Sequence, residues 1–128
     1  MTGVQTCALP ISKSDLQKIA DFAVEYGVTV ISDEIHAPLT YVTKDFYPFL
    51  AISDNARRVG ITITSASKSF NIAGLKCAII IAEDERLNEL LARMPMAVHF
   101  RASLFDGIAS AAAFAHGSSW LKIGRAHV

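Results

Sequence analysis

Ser65-Ala66-Ser67-Lys68-Ser69-Phe70-Asn71-Ile72-Ala73-Gly74-Leu75-Lys76 decides how this 128-residue chain is read. Immediately before it, Ile61-Thr62-Ile63-Thr64 is a β-branched run that alternates as a strand does. A lysine just past the C-terminal end of a strand stands where open α/β sheets bind their ligands. Hydroxyls lie three and one residues before Lys68 and one after it, so several O–H donors can face one anion. Taken alone, a Ser-Lys pair in such a loop is only a solvated lysine.

The complete run, Ser-x-Ser-Lys-x-Phe-Asn-x-Ala-Gly-Leu, resembles the lysine signature of the fold-type I enzymes that use pyridoxal 5'-phosphate (PLP). It is most similar to the cystathionine β-lyase (MalY/PatB-like) branch of the class I/II aminotransferases. The resemblance implies an α/β fold, part of a large domain in three layers around a mostly parallel sheet with one antiparallel strand. It implies PLP as cofactor and Lys68 as the amine that attaches it, since an aldehyde needs an amine partner. Ser65, Ser67 and Lys76 take the positions that would serve the cofactor's phosphate. Many relatives carry arginine where this chain has Lys76, and lysine keeps the charge without the two-pronged donor. Gly74 is expected to allow close backbone approach or a positive φ.

Upstream, Ser12-x-x-Asp15 suits a helix start, and Leu16, Ile19, Ala20, Ala23 and Val24 recur at helical spacing before Gly27. Val28-Thr29-Val30-Ile31 then reads as a strand buried on both faces. It runs into Ser32-Asp33-Glu34-Ile35-His36. By the resemblance, Asp33 pairs with the protonated ring nitrogen of PLP, and Ile35 packs on the ring face. His36 takes a place many aminotransferases give to tyrosine, near the phenolic oxygen, and Glu34 is structural. Alone, Asp33 is a turn or cap residue and His36 a hydrogen-bonded loop histidine. The same motif also resembles the metal-binding box of superfamily 2 helicases, with Ser65-Ala66-Ser67 imitating their Ser-Ala-Thr motif. No GxxxxGK[ST] loop occurs, and a helicase leaves the Lys68–Lys76 run without a purpose.

Between the two motifs, Thr40-Tyr41-Val42, Phe46, Tyr47 and Phe49 read as a connection, covering a core or walling a substrate pocket. Arg57-Arg58 before Gly60 reads as a solvated turn. Cys77-Ala78-Ile79-Ile80-Ile81-Ala82 is an apolar strand too close behind Lys68 for a crossover helix, so antiparallel pairing is predicted. Glu83-Asp84-Glu85 opens a helix through about Arg93, which Met94-Pro95 breaks. Leu104, Ile108, Ala111, Ala112 and Ala115 predict a packed helix ending near Gly117, with Trp120-Leu121 beginning another.

With 52% hydrophobic and 19% charged residues the chain is globular in composition. Zero formal charge gives no electrostatic case for nucleic acid or an anionic membrane. No apolar run approaches the roughly 20 residues of a membrane helix. Met94, Met96, His99 and His116 show no ligand spacing, so no metal is expected. Residues 1–11 and 122–128 resemble translated sequencing adapter, so 12–121 is expected to be the native part, a partial large domain. Cys77 is then its single cysteine, which suits a cytoplasmic protein without a disulfide framework.

What the resemblance implies for function is a C–S β-lyase that converts cystathionine or a cysteine conjugate to thiol, pyruvate and ammonia. The parent is expected to be a homodimer. An aminotransferase would use the same Lys68 and Asp33. The family's glycine-rich phosphate loop, ring-stacking aromatic, ring-facing asparagine and carboxylate-binding arginine are missing from the 128 residues. An inert fragment is therefore the third expectation.

Overall fold

The computed structural model describes residues 11–40 and 46–125. Helix α1, Lys13–Glu25, begins at Ser12, whose Oγ accepts the Asp15 N–H. It ends as predicted: Gly27 sits at φ 64, its N–H donates to the Val24 carbonyl, and the Val28 N–H donates to Ala23 at 2.8 Å. Those two bonds satisfy carbonyls that the helix end leaves open, and the left-handed position favours glycine. The chain thus turns straight into β1, Val30–Asp33.

The crossover to the next strand contains 3₁₀ turns at Ala37–Leu39 and Phe49–Ala51, then helix α2, Asp54–Val59. Arg57 and Arg58 therefore lie in a helix rather than in the expected solvated turn. Ser53 caps that helix, Asp54 lies in its first turn and the arginines in its last, each charge opposing the nearby end of the dipole. Tyr41 and Val42 lie outside the described residues.

No loop separates α2 from β2, Gly60–Thr64. Glycine is needed at this junction: a Cβ on Gly60 would stand 2.6 Å from the Ala56 carbonyl oxygen and 2.7 Å from Leu50 Cδ2. The core lies here, between α1, α2 and one face of the sheet. Ala20, Ala23, Phe49, Leu50, Ala56 and Val59 are buried together, with Leu16, Val24, Val30 and Ile52 packed against them.

Strand β3, Ile79–Ile81, completes a sheet of order β1-β2-β3. β1 and β2 are parallel, with Val30 opposite Gly60 and Asp33 opposite Ile63. β3 runs antiparallel to β2, as its short connection requires, with Thr62 opposite Ile81. The expectation of strands buried on both faces fails for β1 and β3. Ile31 is 66% exposed and Ile79, Ile80 and Ile81 are all exposed, because both are edge strands and only β2 is flanked on each side.

Helix α3, Glu85–Ala92, starts at Asp84, whose carboxylate accepts the Leu87 N–H. After the short α4, Met96–His99, a reciprocal pair between Ser103 and Asp106 opens α5, Leu104–His116. α6 spans Ser118–Arg125. The predicted apolar face of α5 is not the one that packs. Leu104 is 76% exposed and Ile108 is exposed, whereas Ser110 is buried. The reason becomes plain at the lysine loop, which rests on α5.

Candidate active site

Asp33 and Glu34 are adjacent carboxylates with opposite assignments, and strand geometry separates them. Successive strand side chains point to opposite faces. Along β1, Val30 and Ser32 are half-buried on the core side, while Ile31 and Asp33 face outward and are exposed. The Glu34 N–H extends the ladder by donating to the Ile63 carbonyl at 2.8 Å. Its Oε1 accepts from the Phe49 N–H at 2.8 Å, the Ser32 hydroxyl at 3.0 Å and, more weakly, the Thr62 hydroxyl at 3.4 Å. Glu34 therefore ties the crossover to both parallel strands, the structural part expected of it.

Asp33 keeps its carboxylate outside. Oδ1 accepts the Ile35 N–H at 3.1 Å, a local turn that fixes the side chain and leaves Oδ2 open. Ile35 is half-buried beside it. His36 precedes the 3₁₀ turn Ala37–Leu39, is exposed and makes no capping bond.

The parallel register carries β2 to the same edge, where Ser65 begins the lysine loop. Ser65 is buried: its hydroxyl donates to the Cys77 carbonyl at 2.6 Å and accepts the Ser67 N–H at 3.1 Å. Ala66 is fully buried. The Phe70 N–H donates to the Ala66 carbonyl and the Ile72 N–H to that of Ser67, closing a turn with Lys68 exposed at its crown. Ser67 is half-buried and Ser69 buried.

Asn71, at φ 55, and Lys76, at φ 44, reverse the chain on either side of the 3₁₀ turn Ala73–Leu75. Gly74 does not supply the expected left-handed turn; these two side-chain-bearing residues do. Nothing crowds a Cβ at Gly74 either, so close backbone approach within the chain is not its purpose.

Asp33 and the lysine loop are thus brought to one edge by the pairing of Asp33 with Ile63, and Ser65 and Ser67 are joined by a direct bond. Among the described residues, Asp33, Lys68 and Lys76 enter no ion pair. Three residues escaped functional notice in the sequence. The Phe70 ring meets the Phe114 ring of α5 edge-on, centroids 6.0 Å apart at 82°, and lies against Gly117. The available signal was the spacing of Ser110, Phe114 and Gly117, which places them on one helical face. The more apolar Leu104–Ile108 stripe masks it.

Comparison with known proteins places this geometry in a family. The model of aminotransferase class I and II matches residues 7–122, spanning both motifs and beginning inside the stretch read as adapter. The chain is 34% identical over 116 residues to the cystathionine beta-lyase PatB of Bacillus subtilis, covering 86% of this chain and 29% of that protein. It is 35% identical over 72 residues to the aspartate aminotransferase of Pyrococcus abyssi, covering 56% of this chain and 18% of that protein. The PLP-bound C-S lyase from Staphylococcus hominis superposes with a TM-score of 0.78 at 30% identity, over 91% of this chain and 28% of the lyase. The chain spans less than a third of the length of each of these proteins. It belongs to the aminotransferase class I and II family.

Proposed function

We propose that this chain is the cofactor-attaching segment of a PLP-dependent C–S β-lyase acting on cystathionine or a related cysteine conjugate. The observation that carries the proposal is the placement of an outward Asp33 and of the turn bearing an exposed Lys68 at the C-terminal ends of two parallel strands, with Asp33 and that turn each fixed by local hydrogen bonds. Similarity to named lyases directs the choice of reaction.

The donor set fits the cofactor. PLP presents an aldehyde, a protonated ring nitrogen and a phosphate, and the edge offers an amine, a carboxylate with one open oxygen, and hydroxyl and ammonium donors. When bound, the cofactor supplies an electron sink for the pair released at the substrate's α-carbon. Lys68 would attach it, and its Nζ as a free amine would take the substrate's α-proton. Asp33 Oδ2 would accept from the ring nitrogen and keep it protonated, a charge-assisted bond of roughly 1.5–3 kcal/mol. Ile35 would pack on the ring face and His36 lie near the phenolic oxygen.

For the phosphate, Ser67 and Lys76 have donors to give. Ser65 already spends its proton on the Cys77 carbonyl, so it reaches a phosphate only by releasing that bond. Its present contribution is to hold the Ser67 N–H and join the loop to the segment leading into β3. Proton removal from Cα and loss of the thiolate from Cβ leave an enamine that water converts to pyruvate and ammonia.

The test uses the full-length protein that contains this segment. Cystathionine should release thiol and pyruvate faster than its amino group passes to a keto acid. Rapid half-transamination without thiol release would reassign it as an aminotransferase.

A further inference from the structure

Lys68 stands on a turn with two buried shoulders. On the sheet side, Ser65 and Ala66 are buried and Ser65 is bonded to the segment leading into β3. On the far side, Ser69 is buried with its hydroxyl unpartnered, so it anchors by burial and not by bonding. The next residue, Phe70, lays its ring edge-on against Phe114. A Cβ on Gly117 would overlap Phe70 Cε1 and stand 2.7 Å from Cδ1. The same Cβ would lie 2.5 Å from the Ala113 carbonyl oxygen. Helix α5 therefore offers the ring a seat made of one aromatic edge and one absent side chain.

We infer that Phe70, Phe114 and Gly117 form a latch that positions Lys68, making α5 the element that sets the lysine's height and direction. The inference rests on the reading of Lys68 as the cofactor lysine and adds the residues that aim it. Bonds from Phe70 to Ala66 and from Ile72 to Ser67 close the turn around Lys68, at 3.0 and 3.1 Å. A turn closed in that way moves as a unit. Displacing the Phe70 ring therefore shifts the Lys68 backbone instead of being absorbed between them. Asn71 follows at φ 55, a left-handed conformation that asparagine adopts more readily than other side-chain-bearing residues.

A double-mutant cycle on the full-length holoprotein tests the latch, with Phe70→Ala, Gly117→Ala and the double variant. Borohydride reduction and peptide mapping of the unsubstituted protein come first and should label Lys68. Gly117→Ala should then slow trapping at Lys68 and kcat/KM roughly 10- to 100-fold, the usual consequence of misplacing a reacting group by about 1 Å. It should also move the pH midpoint of the bound cofactor's absorbance. In the Phe70→Ala background the overlap is gone, so adding Gly117→Ala should cost several-fold less; the Ala113 carbonyl contact accounts for the remainder. Phe114→Leu, a milder change, should move the midpoint in the same direction by less, and an unmoved midpoint there counts against the latch. Additive effects in the cycle overturn it. Coupling confined to thermal stability, with trapping and midpoint unchanged, also overturns it, because the contact is then only packing. A label on another lysine in the unsubstituted protein overturns the reading of the site itself, and this inference with it.

Discussion

Replacing Glu34 by alanine isolates the difference between two neighbouring carboxylates. Glu34 Oε1 is the partner of the Phe49 N–H, and Phe49 is almost wholly buried at 2% exposure. Truncation strands that N–H away from water, at a cost of about 1–3 kcal/mol, and removes a charge-assisted bond. The Ser32 and Thr62 hydroxyls can rotate to other partners, so they add little. A net loss of roughly 2–3 kcal/mol follows, which speeds amide exchange at Phe49 about 30- to 150-fold if it exchanges by local opening. Glu34→Gln keeps an acceptor oxygen and should recover most of that protection. Asp33→Ala, one residue away but facing outward, should leave Phe49 within roughly 0.5 kcal/mol of its original stability. Hydrogen exchange with mass spectrometry on the full-length protein resolves the three variants. Unchanged exchange in Glu34→Ala, or an equal loss in Asp33→Ala, would refute the division of labour drawn from the strand's alternation.

Asp33→Ala should instead lower kcat far more than it weakens cofactor binding; unchanged turnover would reduce Asp33 to a turn residue. Gly60→Ala should destabilise by about 1–3 kcal/mol through collision with the Ala56 carbonyl, Leu50 and Phe49, read as a lowered denaturant midpoint. The hydrogen bond from Ser12 holds Asp15 below the usual carboxylate range, against an opposing effect of desolvation and with further help from the nearby Lys18. Its support for the first turn of α1 is thus present above the unfolded value and fades as pH falls through the lowered one, and Ser12→Ala should return the Asp15 NMR titration toward normal. The 128-residue chain alone should self-associate in sedimentation and bind PLP weakly, given exposed Ile79–Ile81, Phe100 and Phe105; a monomer with stoichiometric PLP would contradict this.

Part of this was legible because local chemistry wrote it: Ser12 caps α1, the acids around Asp84 open α3, and Gly27 closes α1 in the conformation glycine favours, whereas the Ser53 cap of α2 and the Ser103 cap of α5 were passed over. The antiparallel turn into β3 followed from connection length. Burial was less legible, since the run Ile79–Ile81 does not reveal whether a strand is flanked. The helix α5 was misread for a related reason: hydrophobicity pointed to Leu104 and Ile108, but packing is set by what lies opposite. There the neighbour is an aromatic ring needing a gap, which Gly117 leaves and an apolar side chain would fill.

The candidate site itself was read through the resemblance of two motifs to a family, yet its geometry depends on bonds no motif displays. Ser65 was expected to serve the phosphate and is found serving Cys77; Gly74 was expected to turn the chain and leaves that to Asn71 and Lys76. In the first case a side chain near Lys68 holds the loop; in the second the turn is made by the backbone of Asn71 and Lys76. Lys68, Asp33 and Lys76 are exposed and form no ion pair among the described residues, although oppositely charged side chains are plentiful. The edge is held at three points: Glu34 binding the crossover to the strands, Ser65 binding the loop toward β3, and Phe70 seated on α5. The residues that hold this edge together are therefore different from the carboxylate and the amine proposed to meet the cofactor.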